Sequence, residues 1–575
     1  MTQPKKLIEV AMPVKEVSAE SVRDKSIRHG HISTLHLWWA RRPLPVCRAV
    51  VFASLVPDPE DKNCPAPFKQ AVAKYLADNK YKPYDDIPHT VAIDPMEDNL
   101  RNRLLMYIGK FSDEFIVNEK SGKITPSKKQ LSDGSLIKWE NKNNPEIINI
   151  ARKLIFIAHN TLENGISIGA RISSPNLGEV SRLAGTEGLN LLQLEEKYNQ
   201  LWTAITTAEK DLYSTPNRHL ETAEIKAKEK TLHDAIENFL DHMPRVFDPF
   251  AGGGAIPLEA ARLGCRTFGN DINPVAHIIQ RGSVEFPQKY GKPITYTRNE
   301  FLKLYPVFAD EQPGKMVAEP TLNYGFDKIT ELDGYDDTVS KQPEIQHAQY
   351  IRIKNRLAFD VEYYARQMLA GSEKEIGHFY PEVNGKKPIA YYWAHVGTCS
   401  NPSCKAEVPL LKQFYLANKP GKKMYLNPVI DGTEINFEIK TGEIDRDGWN
   451  NRGNLKCPCC GNTTDVKQIK VQSKSRTLKQ RIIAVIEQGE GGKNYRLPTK
   501  LEIQRSKEIP EEIETYRPIE NMQRNSAGGD TFSWGYSIWG QMFSRRQLLV
   551  MQTFVSQLAN LKEAWAESGE LTDYQ

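Results

Sequence analysis

A glycine-rich turn separates two short apolar segments in residues 245–279, RVFDPFAGGGAIPLEAARLGCRTFGNDINPVAHII. Glycine adopts positive φ and carries no Cβ, so a ligand can approach the backbone N–H groups of such a turn. Asp271 stands 17 residues after Gly254, at the end of the second apolar segment. A carboxylate beside a glycine turn can accept hydrogen bonds from ribose hydroxyls. These residue types therefore predict a binding site for a nucleoside.

The turn needs a strand, a helix and a second strand to position it. Residues 244–248 form an apolar run typical of a buried parallel strand, and residues 255–263 are rich in Ala and Leu, as in a helix. Residues 265–270 provide the second strand. This order predicts that the turn and Asp271 meet at the carboxyl edge of a doubly wound sheet, where ligands bind in α/β proteins.

Two phosphate-binding loops do not fit this turn. The glycines at 252–254 are not spaced as the dinucleotide pattern G-x-G-x-x-G requires, and no lysine follows them as in a P-loop. A ribose without phosphates fits better, and S-adenosylmethionine (AdoMet) is such a ligand. The alternative is a tight turn with a purely structural role.

DPFAGGGAIPLEAARLG and GNDINP closely resemble the first and second AdoMet motifs of methyltransferases that modify exocyclic amines of DNA bases. The resemblance implies that the methionine end of AdoMet is lined by Asp248, Phe250, Gly252 and Gly254. It also implies that Asp271 holds the ribose and that Ile272 packs on the adenine.

Other segments extend this resemblance over most of the chain. HLWWARRP, DVEYYARQML, AYYWAHVGTCSNPSCKAEVPLL and FSWGYSIWGQMFSRRQLL resemble, in the same order, the prokaryotic adenine-specific DNA methylases that contain a zinc ribbon. The implied activity is AdoMet-dependent methylation of DNA, with adenine N6 as the acceptor, in a restriction-modification or anti-phage system. The implied reaction is direct in-line transfer of the methyl group, favoured by proximity and desolvation.

Trp38, Trp39, Arg41 and Arg42 precede Pro43 in the segment HLWWARRP. Aromatic rings can stack on a base or on adenine, and a guanidinium can bind a carboxylate or a phosphate. By analogy with amino-methyltransferases, we assign this segment to the cofactor pocket, with Trp39 and Arg41 as candidate binding residues. The alternative places the tryptophans in the core and the arginines on the surface of a helix N-terminus.

The cysteines predict a metal site. Cys399-x4-Cys404 and Cys457-x2-Cys460 form two pairs separated by 52 residues. Four thiolates in a tetrahedron suit structural Zn²⁺ at about 2.3 Å, with no open position for catalysis. Cys459 is a spare thiol that could replace a neighbour. Chance clustering and redox cysteines are the alternatives to zinc.

A basic segment follows the cysteines. KQIKVQSKSRTLKQR, residues 467–481, has six basic residues and no acidic one. Such patches attract phosphate backbones, so contact with DNA is one interpretation and an ordinary solvated surface is the other. Net charge does not decide, because 76 Lys and Arg nearly balance 72 Asp and Glu.

The tetrapeptide that grips the acceptor amine in this class, D/N/S-P-P-Y/F/W, is absent: the 575 residues contain no Pro-Pro pair. No residue is therefore predicted to be catalytic. Downstream, a Ser544–Gln547 capping box starts a helix over residues 544–561, whose apolar residues 548, 551, 555 and 558 predict one buried face. The chain is expected to be a fragment, one half of a split enzyme with a partner chain, or a non-catalytic binding protein.

The expected architecture is α/β, with an incomplete Rossmann-like methyltransferase core, a helical N-terminal insertion and a small β-rich zinc ribbon. Its predicted parts are residues 1–60 with HLWWARRP, a mostly helical insertion at 61–243 with a hairpin from 189, the core at 244–385 with a linker at 305–345, the ribbon at 386–470, and a basic and helical continuation at 471–575.

The totals favour a cytoplasmic protein. No run of about 18 apolar residues predicts a membrane helix, and the N-terminus lacks the apolar core of a signal peptide. Two other functions fit the same residues, an RNA amine methyltransferase and a non-catalytic zinc-containing subunit that binds nucleic acid.

Overall fold

The computed structural model describes residues 3–27, 30–36, 38, 41–84, 96–112, 131–161, 190–308, 326–329, 349–419, 421–489, 492–522 and 531–567. The chain divides into two compact units, residues 1–360 and 361–575. The division falls within one helix, Arg356–Ile376.

The first unit is mainly helical before residue 244. Its helices are α1 Leu7–Val10, α2 Val14–Ser26, α3 Leu44–Leu55, α4 Ala66–Tyr75, α5 Leu100–Ile108, α6 Pro145–Thr161, α7 Leu191–Ser214 and α8 Ala223–Asp241. Their buried apolar residues pack around fully buried rings such as Phe52, Tyr107 and Phe156. Helices α7 and α8 pack against each other, as expected for a hairpin.

The glycine turn lies between β1 Arg245–Asp248 and α9 Ala255–Arg262, and β2 Arg266–Gly269 follows. β1 and β2 pair in parallel, with Asp248 opposite Gly269. The expected strand, turn, helix and strand are therefore present, but the expectation that the first strand is buried is wrong, since Arg245 and Phe247 are exposed. The parallel pairing is possible because α9 carries the chain back along the sheet before β2 begins.

The rest of the first unit is α10 Pro274–Gln280, a π-helix at Arg281–Glu285, α11 Phe286–Tyr290, β3 Ile294–Thr297, α12 Arg298–Leu304, β4 Phe326–Ile329 and β5 Tyr350–Ile353. β5 pairs antiparallel with both β3 and β4. β1 and β2 form a two-stranded sheet of their own in the part of the chain that the structure describes. A doubly wound sheet has more parallel strands than this, so the Rossmann-like core stays a prediction.

The second unit is rich in antiparallel strands. After α13 Arg356–Ile376 come β6 Pro388–Thr398, β7 Glu407–Pro409, β8 Tyr415–Lys419, β9 Lys422–Asp431, β10 Glu434–Thr441, β11 Asn450–Asn451, β12 Asn454–Lys456, β13 Thr463–Thr464, α14 Val466–Lys474, β14 Lys479–Gly489, β15 Gly492–Arg496, α15 Lys500–Arg505 and α16 Arg545–Glu567. The sheet orders are β15-β14-β6-β7, β10-β9-β8 and β11-β12-β13.

The predicted boundary at residue 470 falls inside α14. Beyond it, β14 pairs with β6 along most of its length, so the strand-rich part continues past the predicted ribbon. Residues 482–487 of β14 are all buried. The basic residues at 467–481 predict a surface segment. The strand β14, whose residues 482–487 are buried, nevertheless begins at Lys479 within this stretch.

The C-terminal helix confirms one expectation and corrects another. The capping box is present: Ser544 N donates to Gln547 Oε1 at 2.9 Å, and Gln547 N donates to Ser544 Oγ at 3.3 Å. The predicted buried face is wrong, since Leu548 is 2% exposed whereas Val555 and Leu558 are 61% and 53% exposed. Met551 is 40% exposed. Periodicity identifies the apolar face of a helix but does not show that anything covers it.

Two remaining expectations concern chain segments. Most of the predicted linker at 305–345 lies outside the described residues, although a 3-10 turn at Pro306–Phe308 and the strand β4 fall within it. Across the described ranges, we find no helix with the length and hydropathy needed to cross a membrane.

Candidate functional site

The glycine turn and Asp271 lie together, as the sequence predicts. Gly252 N donates to Asp271 Oδ2 at 2.9 Å, and Asn273 N donates to Asp271 Oδ1 at 2.9 Å. These hydrogen bonds from Asn273 and Gly252 lower the pKa of the Asp271 carboxyl, so it is ionised at neutral pH. Each carboxylate oxygen has a further lone pair with which it can accept another donor.

Asp248 lies at the end of β1 beneath the turn and is 7% exposed. Its Oδ1 accepts from Phe250 N at 3.1 Å. Its Oδ2 is buried and accepts no hydrogen bond among the described residues, although Arg42 Nη1 stands 3.6 Å away as an ion pair. The Arg42 charge offsets part of the cost of burying this oxygen, which still has lone pairs free to accept a hydrogen bond.

The turn itself requires glycine at two positions. Gly252 and Gly254 have φ of +54° and +82°, values that favour glycine. A Cβ on Gly252 would lie 2.5 Å from Trp38 Nε1, and one on Gly254 would lie 3.1 Å from Gln280 Cγ. The Trp38 ring therefore approaches Gly252 more closely than a Cβ allows, while at Gly254 the positive φ is the main reason for glycine.

Trp38 covers the turn. Its indole, with Arg42, Phe250, Gly252 and Gly253, borders a cavity of about 70 Å³. Ligand pockets usually measure roughly 300–1,000 Å³. A nucleoside can therefore occupy the turn only if the Trp38 side chain moves. Trp39, the tryptophan assigned to the pocket from the sequence, lies outside the described residues.

Phe250 and Ile272 are 73% and 95% exposed, so neither is enclosed by the described residues. Phe247 and Phe268, on the paired strands, are 58% and 51% exposed. Parallel sheets are normally covered on both faces, which makes this exposed aromatic surface unusual. These four side chains thus leave exposed apolar surface beside the glycine turn.

Arg41 has protein partners. Its Nη2 donates to Asp24 Oδ2 at 2.8 Å and to the Asp24 carbonyl at 2.9 Å, and Asp24 is 1% exposed. The same buried carboxylate lies 3.1 Å from His31 Nε2, and the His31 ring stacks on Trp139. Although Arg41 also borders the cavity, its guanidinium fixes the HLWWARRP segment to α2. The cofactor role predicted for it remains untested.

Sequence reasoning missed a buried ion pair that holds α3 against α9. Arg48 Nε donates to Glu259 Oε2 at 2.6 Å, and Arg48 Nη1 donates to the Leu136 carbonyl at 2.8 Å. Burial raises the pKa of the Glu259 carboxyl, but the charges of Arg48 and Arg262 outweigh it and lower that pKa overall. The signal was available: Arg48 is the one charged residue in the apolar run LPVCRAVVFASL.

Four cysteines form a cluster that could bind a metal ion, as the sequence predicts. The sulfur atoms of Cys399, Cys404, Cys457 and Cys460 all lie within 4.8 Å of one another. The Sγ–Sγ distances are 3.7 Å for Cys399–Cys460 and 3.8 Å for Cys404–Cys457. Four sulfurs about 2.3 Å from a central zinc would stand roughly 3.8 Å apart, so the spacing suits tetrahedral Zn²⁺.

Two hairpins carry the four cysteines. Cys399 and Cys404 lie in the turn between the paired strands β6 and β7, and Cys457 and Cys460 lie in the turn between β12 and β13. The backbone N–H of Asn462 donates a hydrogen bond to the Cys460 sulfur, and this bond contributes most to lowering the pKa of the Cys460 thiol to about 7. Cys459, the spare thiol, is not part of the cluster.

The basic segment after the cysteines divides into residues with partners in the second unit and residues exposed on a helix. Lys479 pairs with Glu407, and Arg481 Nη1 donates to the Ile435 carbonyl at 2.6 Å. Lys467 and Lys474 are exposed on α14. The sequence pattern did not distinguish these two groups.

A family model described as a protein of unknown function, DUF1156, matches residues 11–77. This stretch contains α2, α3 and α4, with the HLWWARRP segment and Arg48. No curated protein and no solved structure matches the chain. The match covers 67 of 575 residues, so the function of the chain has to be argued from the geometry of its sites.

Proposed function

We propose that this chain supplies the AdoMet-binding part of a DNA amine methyltransferase, with adenine N6 as the acceptor. The observation that carries the proposal is the 2.9 Å hydrogen bond from Gly252 N to Asp271 Oδ2, beside the parallel strand pair β1 and β2. That bond fixes the carboxylate at the edge of the turn, where its remaining lone pairs can accept ribose hydroxyls. The resemblance of the sequence motifs supports the same ligand.

Asp248 supports the proposal independently. Its buried Oδ2 lacks a donor within the described ranges, and the α-amino group of AdoMet is a charged donor that fits it. Gly252, Gly254 and Phe250 would line the methionine end. When bound, AdoMet supplies a methyl group on a sulfonium sulfur. The chain's own residues hold it, orient it and exclude water, with Trp38 moving from the turn.

The acceptor amine needs a group from outside these 575 residues, because no D/N/S-P-P-aromatic segment occurs in them. The exposed Phe247 and Phe268 rings on β1 and β2 fit a sheet that other polypeptide covers. We therefore assign the missing tetrapeptide to polypeptide outside these 575 residues, which is a partner chain if the enzyme is split. Within the proposal, the metal of the four-cysteine cluster is structural zinc and the protein works in the cytoplasm, where its DNA lies.

Calorimetric titration of the zinc-loaded chain with AdoMet tests the pocket. We expect binding that Asp271→Ala weakens at least tenfold, or about 1.4 kcal/mol. The matched control is Asp234→Ala, an exposed aspartate on α8, which should bind as the original chain does. Equal affinity in the two variants would remove the ribose assignment. A chain that binds zinc and DNA but no AdoMet would be a non-catalytic nucleic-acid-binding subunit instead.

A further inference from the structure

Helix α14, which follows the second cysteine hairpin, carries three lysines on one side: Lys467 and Lys474 are exposed, and Lys470 is half-buried with its Nζ 5.4 Å from the centre of the Trp534 ring. Lys467, Lys470 and Lys474 share one side of the helix because residues three, four and seven apart lie on the same face. Ile469 and Ser473 are buried on the other side. The three ammonium groups are thus distributed over about 10 Å of helix axis.

The chain around this face is strongly basic. Residues 451–481 contain eight Lys or Arg and a single acidic residue, Asp465. Asp465 caps the helix, since its side chain accepts from Lys467 N at 2.8 Å. Lys479 pairs with the acidic Glu407, whereas α14 carries Lys467, Lys470 and Lys474, and Arg476 lies just beyond its C-terminal end.

The FSWGYS segment packs on this helix. Ser473 Oγ donates to the Trp534 carbonyl at 2.7 Å, and Arg476 Nη2 donates to the Gly535 carbonyl at 3.0 Å. Gly535 has φ of +88°, and a Cβ there would lie 2.9 Å from Lys474 Cα. The close packing requires glycine, and it brings the Tyr536 ring to 5.1 Å from the Arg476 guanidinium.

We propose that Lys467, Lys470, Lys474, Arg476 and Tyr536 form a surface that binds the phosphate backbone of duplex DNA. The inference rests on the function proposed above and names the surface with which the same protein holds its substrate. Lysine and arginine neutralise phosphates and release counterions, and a tyrosine hydroxyl can donate to a phosphate oxygen. These contacts carry no base information, so the surface positions DNA without selecting its sequence.

Fluorescence anisotropy with a labelled DNA duplex, at several salt concentrations, tests the surface on the zinc-loaded chain. The test variant is Lys467→Gln with Lys470→Gln and Lys474→Gln. Its matched control replaces Lys412, Lys419 and Lys507 by Gln, three exposed lysines of the same unit. Removing one lysine–phosphate interaction should reduce the slope of log K against log salt by about 0.9, so we expect a reduction of about 2 to 3. At low salt the affinity should fall at least tenfold, while the control keeps the original slope.

Three outcomes would overturn the proposal: no duplex binding by the original chain, an unchanged slope in the test variant, or an equal decrease in the control. Preferential binding of an RNA duplex through the same lysines would overturn the assignment to DNA. Zinc content and AdoMet titration of each variant keep the two proposals apart. A chain that binds AdoMet but fails these tests overturns the DNA surface only, whereas one that binds no AdoMet overturns the function proposed above.

Discussion

Two regions of the molecule gather residues that are distant in sequence, and they differ in whether their own elements supply every group that the site needs. In the second unit, two hairpins each place two cysteines in a turn, and the four sulfurs lie within 4.8 Å of one another. In the first unit, a parallel strand pair places the glycine turn beside Asp271, but Phe250 and Ile272 remain 73% and 95% exposed.

The difference follows from what each site needs. A tetrahedral metal site needs four ligands and a stable frame, and antiparallel hairpins provide both locally. A cofactor crevice in a parallel sheet needs neighbouring strands and a cover, which come from elsewhere in the fold. The cysteine cluster therefore has all four ligands within one unit, whereas the glycine turn is supported by α3, is covered by Trp38 and, in our proposal, needs further polypeptide.

Removing one ligand of the four-cysteine cluster should have the largest effect on the structure of the protein. Cys399→Ser removes one of four ligands, and structural zinc contributes about 10–16 kcal/mol of apparent folding free energy in zinc-finger peptides. We expect this variant to lose nearly all of about one zinc per chain, together with the β structure of the second unit. Elemental analysis and circular dichroism measure the two losses.

The spare thiol is the control for this experiment. Cys459→Ser leaves the quartet intact and should retain its zinc and its circular dichroism spectrum. Zinc loss from Cys459→Ser equal to that from Cys399→Ser would mean that the quartet is misassigned.

The next largest effect should come from the buried ion pair Arg48–Glu259, which holds α3 against α9. Arg48 and Glu259 have side chains that are 1% and 0% exposed. Removing one partner of a buried pair costs about 3–5 kcal/mol. Arg262 stays paired with Glu259, so the loss should lie near the lower end of that range. Arg48→Met should therefore lower the thermal unfolding midpoint of the first unit strongly, as measured by calorimetry.

Two further variants sharpen that measurement. Arg281→Ala breaks an exposed pair with Glu285 and should cost about 1 kcal/mol or less. Replacing Arg48 and Glu259 together by Met should recover part of the stability, since neither charge of the pair is then left buried. A double variant no more stable than Arg48→Met would contradict the ion-pair explanation.

Removing Trp38, which covers the turn, should have a smaller effect, and it should strengthen AdoMet binding instead of weakening the protein. Because Trp38 must leave before a ligand enters, its removal in Trp38→Ala should tighten AdoMet binding by about threefold to tenfold, the cost of populating the open conformation. Calorimetric titration measures the change. Weaker binding would mean that the indole contacts the ligand instead of blocking it.

Much of the local structure was predictable from the sequence. Apolar runs around the glycines indicated the strand, helix and strand, and Asp271 followed from its position at a strand end. The cysteine spacing indicated the quartet, although only the distances separate Cys460 from Cys459. These features are set by residues that lie close together in the sequence, so a local motif is enough to predict them.

Contacts between distant segments were not predictable in the same way. Arg41 binds Asp24 through contacts that no periodic pattern indicates, and Arg48 meets Glu259 across 211 residues. The apolar face of α16 was visible in the sequence, but its exposure depends on what packs against it. The number of strands beside β1 likewise depends on the whole fold.

The exposed rings of the open site should give the smallest effect on stability. Phe247 is already 58% exposed, so Phe247→Ser should change the free energy of unfolding by about 0.5 kcal/mol or less. If a partner chain covers β1 and β2, the same substitution should abolish its co-purification while AdoMet binding persists. A large decrease in stability would instead show that Phe247 already packs within this chain, and the contrast between a closed and an open region would then disappear.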